Sequence, residues 1–212
     1  MRLRDFELCV STDRERNWGA YPLNEGTRLF LATTVIDAPF VKIAPSICTD
    51  IDMPHVSVVD AVCLVDLPAK SLPAPEDAQS YAQRSLEVLT AIELKLGWSC
   101  PSLVERYDRI RQGAPPCVHE FWRLRKTERK TGVVCSTHFE AIYRSSVLSV
   151  RFSRDGVTMH SKDVLRRGEP IIFYYEFPLK DAVIRDGNYM IRDGKKKVLS
   201  TAKIPGERLV DS

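Results

Sequence analysis

Three prolines fall within the nine residues Leu67-Pro68-Ala69-Lys70-Ser71-Leu72-Pro73-Ala74-Pro75. Proline lacks the amide donor that a central strand or a helix interior requires, so neither can run through this stretch. The segment 67–75 reads as a linker between two differently patterned regions. Ahead of it, Phe6, Leu8 and Val10 alternate with Glu7 and Cys9, while Arg28–Ile36, Phe40–Ile43 and Val56–Val65 are rich in β-branched and aromatic residues. Those patterns predict strands, punctuated by Pro22, Pro39, Pro45 and Pro54.

Behind the linker the period changes. Pro75 suits a first helical turn, Glu76 and Asp77 suit the positive end of a helix dipole, and Tyr81, Leu89, Ile92 and Leu96 recur at helical spacing. These predict a helix over about 76–96 that stops at Gly97. A second helix is predicted over about 101–112, with Pro101 at its start, Ser102 and Glu105 at capping-box spacing, and Leu103, Tyr107 and Ile110 on one face. Gly113, Pro115 and Pro116 end it and mark a sub-domain boundary near 113–116.

From Val118 onward strands return at Phe121–Leu124, Val133–Cys135, Ser146–Phe152, Val157–His160, Ile171–Phe177 and Tyr189–Ile191. Asp155-Gly156, Asp186-Gly187 and Asp193-Gly194 are tight-turn dipeptides that suit hairpins. The expected fold is a single α+β domain over residues 1–212, with an acidic β-rich N-terminal part, a central helical pair and a basic C-terminal β-meander.

The sign of the charge follows that division. Residues 1–100 hold 9 Lys and Arg against 14 Asp and Glu, and residues 101–212 hold 22 against 14. A basic half points to an acidic partner, with nucleic acid first; mutual attraction of the halves, or simple solvation, is the competing reading. No apolar run reaches the roughly 18–20 residues that span a bilayer, since Val56–Leu67 is broken by Asp60 and Asp66. The start Met1–Glu7 alternates charged with apolar residues and lacks the apolar core of a secretory signal, so a cytoplasmic protein is expected. Six cysteines in 212 residues are too sparse for a disulfide scaffold and stand as buried thiols, nucleophiles or metal ligands.

The densest group of ligand types is Cys117 and His119 followed by Cys135 and His138, a Cys₂His₂ set suited to a structural zinc. Strand alternation places His138 on the face opposite Cys135, so closure needs a bulge; buried thiols and hydrogen-bonded histidines are the alternative. Cys48, Asp50, Asp52 and His55 form a second, looser metal candidate on a polar loop. Between the zinc pairs, Trp122, Arg123, Arg125, Lys126, Arg129 and Lys130 interleave an aromatic ring with five positive charges. Aromatic faces stack bases and cations neutralise phosphates, which fits RNA or single-stranded DNA. Arg154, Arg185, Arg192, Lys195, Lys196 and Lys197 add charge at or beside the hairpin turns, where lysines and arginines also serve to block edge-to-edge pairing.

Glu93-Leu94-Lys95 resembles the Glu-x-Lys element of restriction-type nucleases, with Asp60 or Asp66 as the further metal carboxylate. On a helix, positions two apart diverge by roughly 200° and cannot share a metal, and the periodicity here is helical. Walker, dinucleotide, nucleophile-elbow and zincin motifs are absent from the chain. The expected function is a non-enzymatic binding module for RNA or single-stranded DNA. The alternatives are an inhibitor or immunity-type factor that binds a charged protein surface, and a metal-dependent nuclease.

Overall fold

A computed structural model of the chain describes residues 1–8, 14–69, 77–142, 145–167 and 178–205, with side chains at these positions except 14–19 and 142. The expected strand Ile171–Phe177 and linker residues 70–75 lie outside the described residues. Among the described residues, three helices and twelve strands in three sheets make an α+β architecture. The chain divides into two compact units, Met1–Cys117 with Ile142–Arg144, and Val118–Ala141 with Ser145–Ser212. The division falls just past Pro115 and Pro116. No helix among the described residues is long and apolar enough to cross a membrane.

The first unit runs β1 (Asp5–Phe6), α1 (Arg14–Thr33), β2 (Lys42–Cys48), β3 (His55–Val59), β4 (Val62–Pro68), α2 (Ala78–Leu96) and α3 (Pro101–Arg111). Its sheet has the order β1-β2-β4-β3, with β1, β2 and β4 parallel and β3 antiparallel at the edge. Phe6, Ile43, Cys63, Val65 and Val56 form one core with Leu23 and Leu31 of α1, Tyr81, Val88 and Ile92 of α2, and Leu103, Tyr107 and Ile110 of α3. All three helices therefore bury their apolar stripes against the same sheet face.

The α2 helix starts where Asp77 accepts hydrogen bonds from the Ser80 amide at 2.7 Å and the Ser80 hydroxyl at 2.8 Å. It ends at Gly97, whose φ of 67° is the left-handed C-terminal cap that glycine adopts without steric cost. The α3 helix has Pro101 at its first position, but its cap is Cys100 and no side chain closes it, so Ser102 and Glu105 do not form the expected capping box.

Two expectations for the front of the chain are corrected. Arg28–Ile36 is not a strand, because its residues to Thr33 complete α1. Ala20, Leu23, Thr27 and Leu31 are buried at helical spacing, and tertiary burial of this stripe overrides the local strand propensity and the Pro22 and Gly26 within the helix. Val56–Val65 is two strands, not one, and β3 turns into β4 at Asp60 (φ 49°) and Ala61 (φ 64°). That turn has the backbone of a two-residue hairpin without its usual glycine.

The second unit contains β5 (Cys117–Glu120, whose first residue belongs to the first unit), a 3-10 turn (Trp122–Leu124), β6 (Lys126–Thr127), β7 (Val134–Ile142), β8 (Ser145–Arg154), β9 (Val157–Arg167), β10 (Asp181–Arg185), β11 (Asn188–Arg192) and β12 (Val198–Lys203). One sheet has the order β5-β7-β8-β9, with β6 also paired to β7; the other is the meander β10-β11-β12. Asp155-Gly156 and Asp186-Gly187 form the expected tight turns, with φ of 52° and 81°, and 50° and 70°. Asp193-Gly194 instead opens a longer loop, in which the Asp193 carboxylate accepts from the Lys195 and Lys197 amides at 2.8 and 2.9 Å. The outermost strand of the larger sheet, β9, loses register with β8 twice, leaving Met159 and Val164 as bulged residues.

A third correction concerns Phe121–Leu124, which forms the 3-10 turn and not a strand. Phe121 and Leu124 are both buried, and the i to i+3 eclipse of a 3-10 turn lets both enter the core where strand alternation would send them to opposite faces.

The close approach of Gly26 to the end of the first unit gives a test of this packing. A Cβ at Gly26 would stand 2.0 Å from the Pro116 carbonyl oxygen and 2.6 Å from Arg106 Nη2. That oxygen is already held by the Arg106 guanidinium at 2.6 Å. Glycine to alanine inside a helix ordinarily gains up to about 1 kcal/mol. Gly26→Ala is expected instead to cost about 1–3 kcal/mol by overpacking, seen as a lowered denaturation midpoint. A raised midpoint would contradict the close approach.

Candidate nucleic-acid interface

The candidate surface lies at one end of the second unit and is built outward from the 3-10 turn. Leu124 donates its amide to the Phe121 carbonyl at 2.8 Å, and Arg125 donates to the Trp122 carbonyl at 3.1 Å. The Leu124 carbonyl accepts from the Tyr189 hydroxyl at 2.7 Å, and that hydroxyl also meets Thr137 Oγ1 at 2.7 Å. Arg123 donates to the Leu179 carbonyl at 2.8 Å. With Phe121 and Leu124 inside and Arg123 tied to the backbone, the turn presents Trp122, which is 66% exposed, to solvent. The Arg125 guanidinium lies over the Trp122 ring at 5.1 Å from its centroid and pairs with Glu120 at 3.5 Å.

From there the chain passes through β6 into the turn that carries Arg129 and Lys130. Glu128 fixes this turn by accepting from the Thr131 amide at 2.7 Å and the Thr131 hydroxyl at 2.9 Å. Those bonds hold the Glu128 carboxyl below the usual carboxylate range. Arg129 and Lys130 are exposed and neither makes an ion pair among the described residues, although the charge of Lys130 also acts on Glu128.

The meander brings a second group of cations to the same end. Asp181, at the start of β10, lies opposite Arg192 in register and forms an ion pair with it. The Arg192 hydrogen bond lowers the Asp181 carboxyl below its ordinary range, and the charge of Lys126 on β6 adds to that shift. Lys180 donates its amide to the Arg192 carbonyl at 3.0 Å, and its Cγ lies 3.6 Å from where a Cβ on Gly194 would stand. Arg192 and Lys126 thus act on the Asp181 carboxylate, and Lys180 lies beside Gly194 at the start of the loop that carries Lys195–Lys197. Lys195, Lys196 and Lys197 are all exposed and make no ion pair among the described residues.

The remaining cations behave differently. Arg185 pairs with its neighbour Asp186 at 3.5 Å and sits at the opposite end of the β10-β11 hairpin from Arg192, roughly 13 Å along the strand. The Nε and Nη2 atoms of Arg154 are enclosed and find no acceptor among the described residues, so this side chain is turned inward. Lys180 and Glu120 were not readable as members of the site. No local motif marks them, because only the β10-β11 register and the fold of the 3-10 turn bring them in.

The Cys₂His₂ set does not gather. Among the described residues no three or more His, Cys, Asp or Glu side chains converge as a metal site, which also covers Cys48, Asp50, Asp52 and His55. Cys135 and His138 stand an odd number of residues apart on β7 and face opposite sides of the sheet. Burial pushes the thiols of Cys117 and Cys135 each up to about 12. His119 packs edge-on against Phe121, with ring centroids 5.1 Å apart, and His138 Nε2 lies 2.8 Å from Ser136 Oγ. Glu93 and Lys95 both lie on α2, two residues apart, so their side chains diverge around the helix and do not converge.

Comparison of the chain with protein-family models, with curated proteins and with solved structures finds no match. The residues themselves carry the functional argument.

Two measurements test the scaffold beneath this surface. Burial, then the charges of Arg151, Arg125 and His119, push His138 down to about 4. In the unfolded chain it protonates near the ordinary value of about 6.5, so between these values the unfolded state binds the extra proton and stability falls as pH drops. His138→Gln is expected to flatten that fall between about pH 6.5 and 4, read from denaturation midpoints against pH; an unchanged profile would exclude a buried neutral histidine. Tyr189→Phe removes the donor to Leu124 and the partner of Thr137, and is expected to cost about 1–3 kcal/mol. A loss near zero in urea denaturation would mean that the hydroxyl is not what holds the turn.

Proposed function

We propose that the second unit binds single-stranded nucleic acid, RNA or single-stranded DNA, through the end that carries Trp122 and the lysine loop. The observation that carries this reading is the set of exposed cations that form no ion pair among the described residues, Arg129, Lys130 and Lys195–Lys197, on the same unit as an exposed tryptophan. Unpaired cations track a phosphate backbone, whereas an indole face is of use to a nucleic acid only where a base is unpaired. The second unit holds 18 Lys and Arg against 12 Asp and Glu, so the long-range field also favours a polyanion.

The test is fluorescence anisotropy with a labelled oligouridylate and an oligothymidylate across a range of salt. Log affinity should fall linearly with log salt. Replacing Lys195, Lys196 and Lys197 together by alanine should reduce the magnitude of the slope by about 2, since each single-strand phosphate that a lysine neutralises contributes about 0.7. Arg185→Ala, at the far end of the hairpin, should leave the slope unchanged. Absence of binding at low salt would sink the proposal and leave an acidic protein surface as the partner, since exposed Trp beside Arg also suits a protein interface.

A further inference from the structure

Trp122 is the one large aromatic side chain among the described residues that is mostly exposed, and nothing in the fold accounts for its exposure. Its backbone is fixed at both ends, by the hydrogen bonds from the Leu124 amide to the Phe121 carbonyl and from the Arg125 amide to the Trp122 carbonyl, and by the Tyr189 hydroxyl that donates to the Leu124 carbonyl. In a 3-10 turn side chains three apart eclipse, which sets Arg125 directly over Trp122. Arg125 is itself held from the side by Glu120, whose side chain is 18% exposed against 45% for the arginine. The result is a chain of three groups, carboxylate to guanidinium to indole, in which Arg125 lies over an indole that is 66% exposed.

We infer that this group is a stacking site for a single unpaired nucleobase, which lies against Trp122, with Glu120 as a positioning residue that acts through Arg125. The inference rests on the nucleic-acid reading above and gives it a defined contact. A planar guanidinium held over the ring polarises the indole and keeps it from rotating, so the base meets a platform that is already ordered and loses less entropy on binding. Free Arg125 would swing toward the phosphates, and Trp122 would lose its support.

This role gives Glu120 an effect opposite in sign to simple electrostatics. Removing an acid from a basic surface should tighten binding of a polyanion. If Glu120 positions Arg125, removing its charge should weaken binding instead.

The experiment measures oligouridylate binding by anisotropy, with tryptophan fluorescence as a second readout, for the wild type and four variants of the full chain. Trp122→Ala should weaken binding by roughly five- to a hundredfold, with an unchanged salt slope, and abolish the binding-induced quenching of fluorescence; Trp122→Phe should recover part of the affinity. Arg125→Lys, which keeps the charge and loses the plane, should weaken binding at constant salt slope. Glu120→Gln should weaken it by about two- to fivefold, the range of an exposed ion pair. Equal or tighter binding by Glu120→Gln overturns the positioning role. If the wild type binds and Trp122→Ala binds equally well, the stacking site is wrong while the basic surface stands. If the wild type binds no oligonucleotide, both fall together.

Discussion

The second unit depends on the hydroxyl of Tyr189. It sits in the interior between the Thr137 hydroxyl and the Leu124 carbonyl, and so joins three segments that the sequence separates widely. A buried carbonyl at the end of a single 3-10 turn has no ladder to satisfy it, and an unsatisfied acceptor costs more than a made bond gains. The turn is stable because the meander supplies the donor. Once the turn is fixed, the outward direction of Trp122, the inward direction of Phe121 and the seat of Arg125 follow from its geometry.

The first unit relies on a different kind of constraint. Its sheet is largely parallel: α1 makes the crossover from β1 to β2, β3 carries the chain from β2 to its parallel neighbour β4, and α2 and α3 follow the last strand. Polar side chains substitute for backbone where the sheet ends, as when Asn24 on α1 accepts from the Leu8 amide at 3.0 Å and donates to its carbonyl at 3.1 Å. That exchange continues β1 by one step with a helix side chain in place of a neighbouring strand.

The sequence was most legible where one local signal decided the structure. Asp77, Gly97 and the Tyr81–Ile92 stripe define α2, and the first two Asp-Gly pairs define hairpins, because those features act within a few residues. Arg28–Ile36 misled because a helix that packs on a sheet can carry β-branched residues and even an internal proline when its buried stripe compensates. The Asp60-Ala61 turn was hidden because its backbone takes positive φ without the residue that announces it. At the site, Trp122, Arg125, Arg129, Lys130 and the lysine loop could be picked out by composition. Composition could not separate Arg123 and Arg192, whose charges are engaged by Leu179 and Asp181, from the free lysines. Nor could it distinguish four clustered Cys and His letters from four side chains that face different surroundings. Pairing register and side-chain direction carry that information, and both are set over distances longer than any motif.

The two bulges of β9 bear on how this protein behaves in crowded solution. Among the described residues β9, eleven residues long, is hydrogen-bonded to β8 alone, and an unpaired strand edge is a template on which further chains can add, the first step toward ordered aggregates. With Met159 and Val164 displaced from the ladder, the longest regular run along β9 is the four residues His160–Asp163, and Lys162 lies within it. An incoming strand finds too short a straight edge to lay down a ladder, and it must desolvate an ammonium group to do so. The cost is the tight packing that a fully paired edge would allow. The return is an outer surface against which sheet growth beyond β9 is disfavoured.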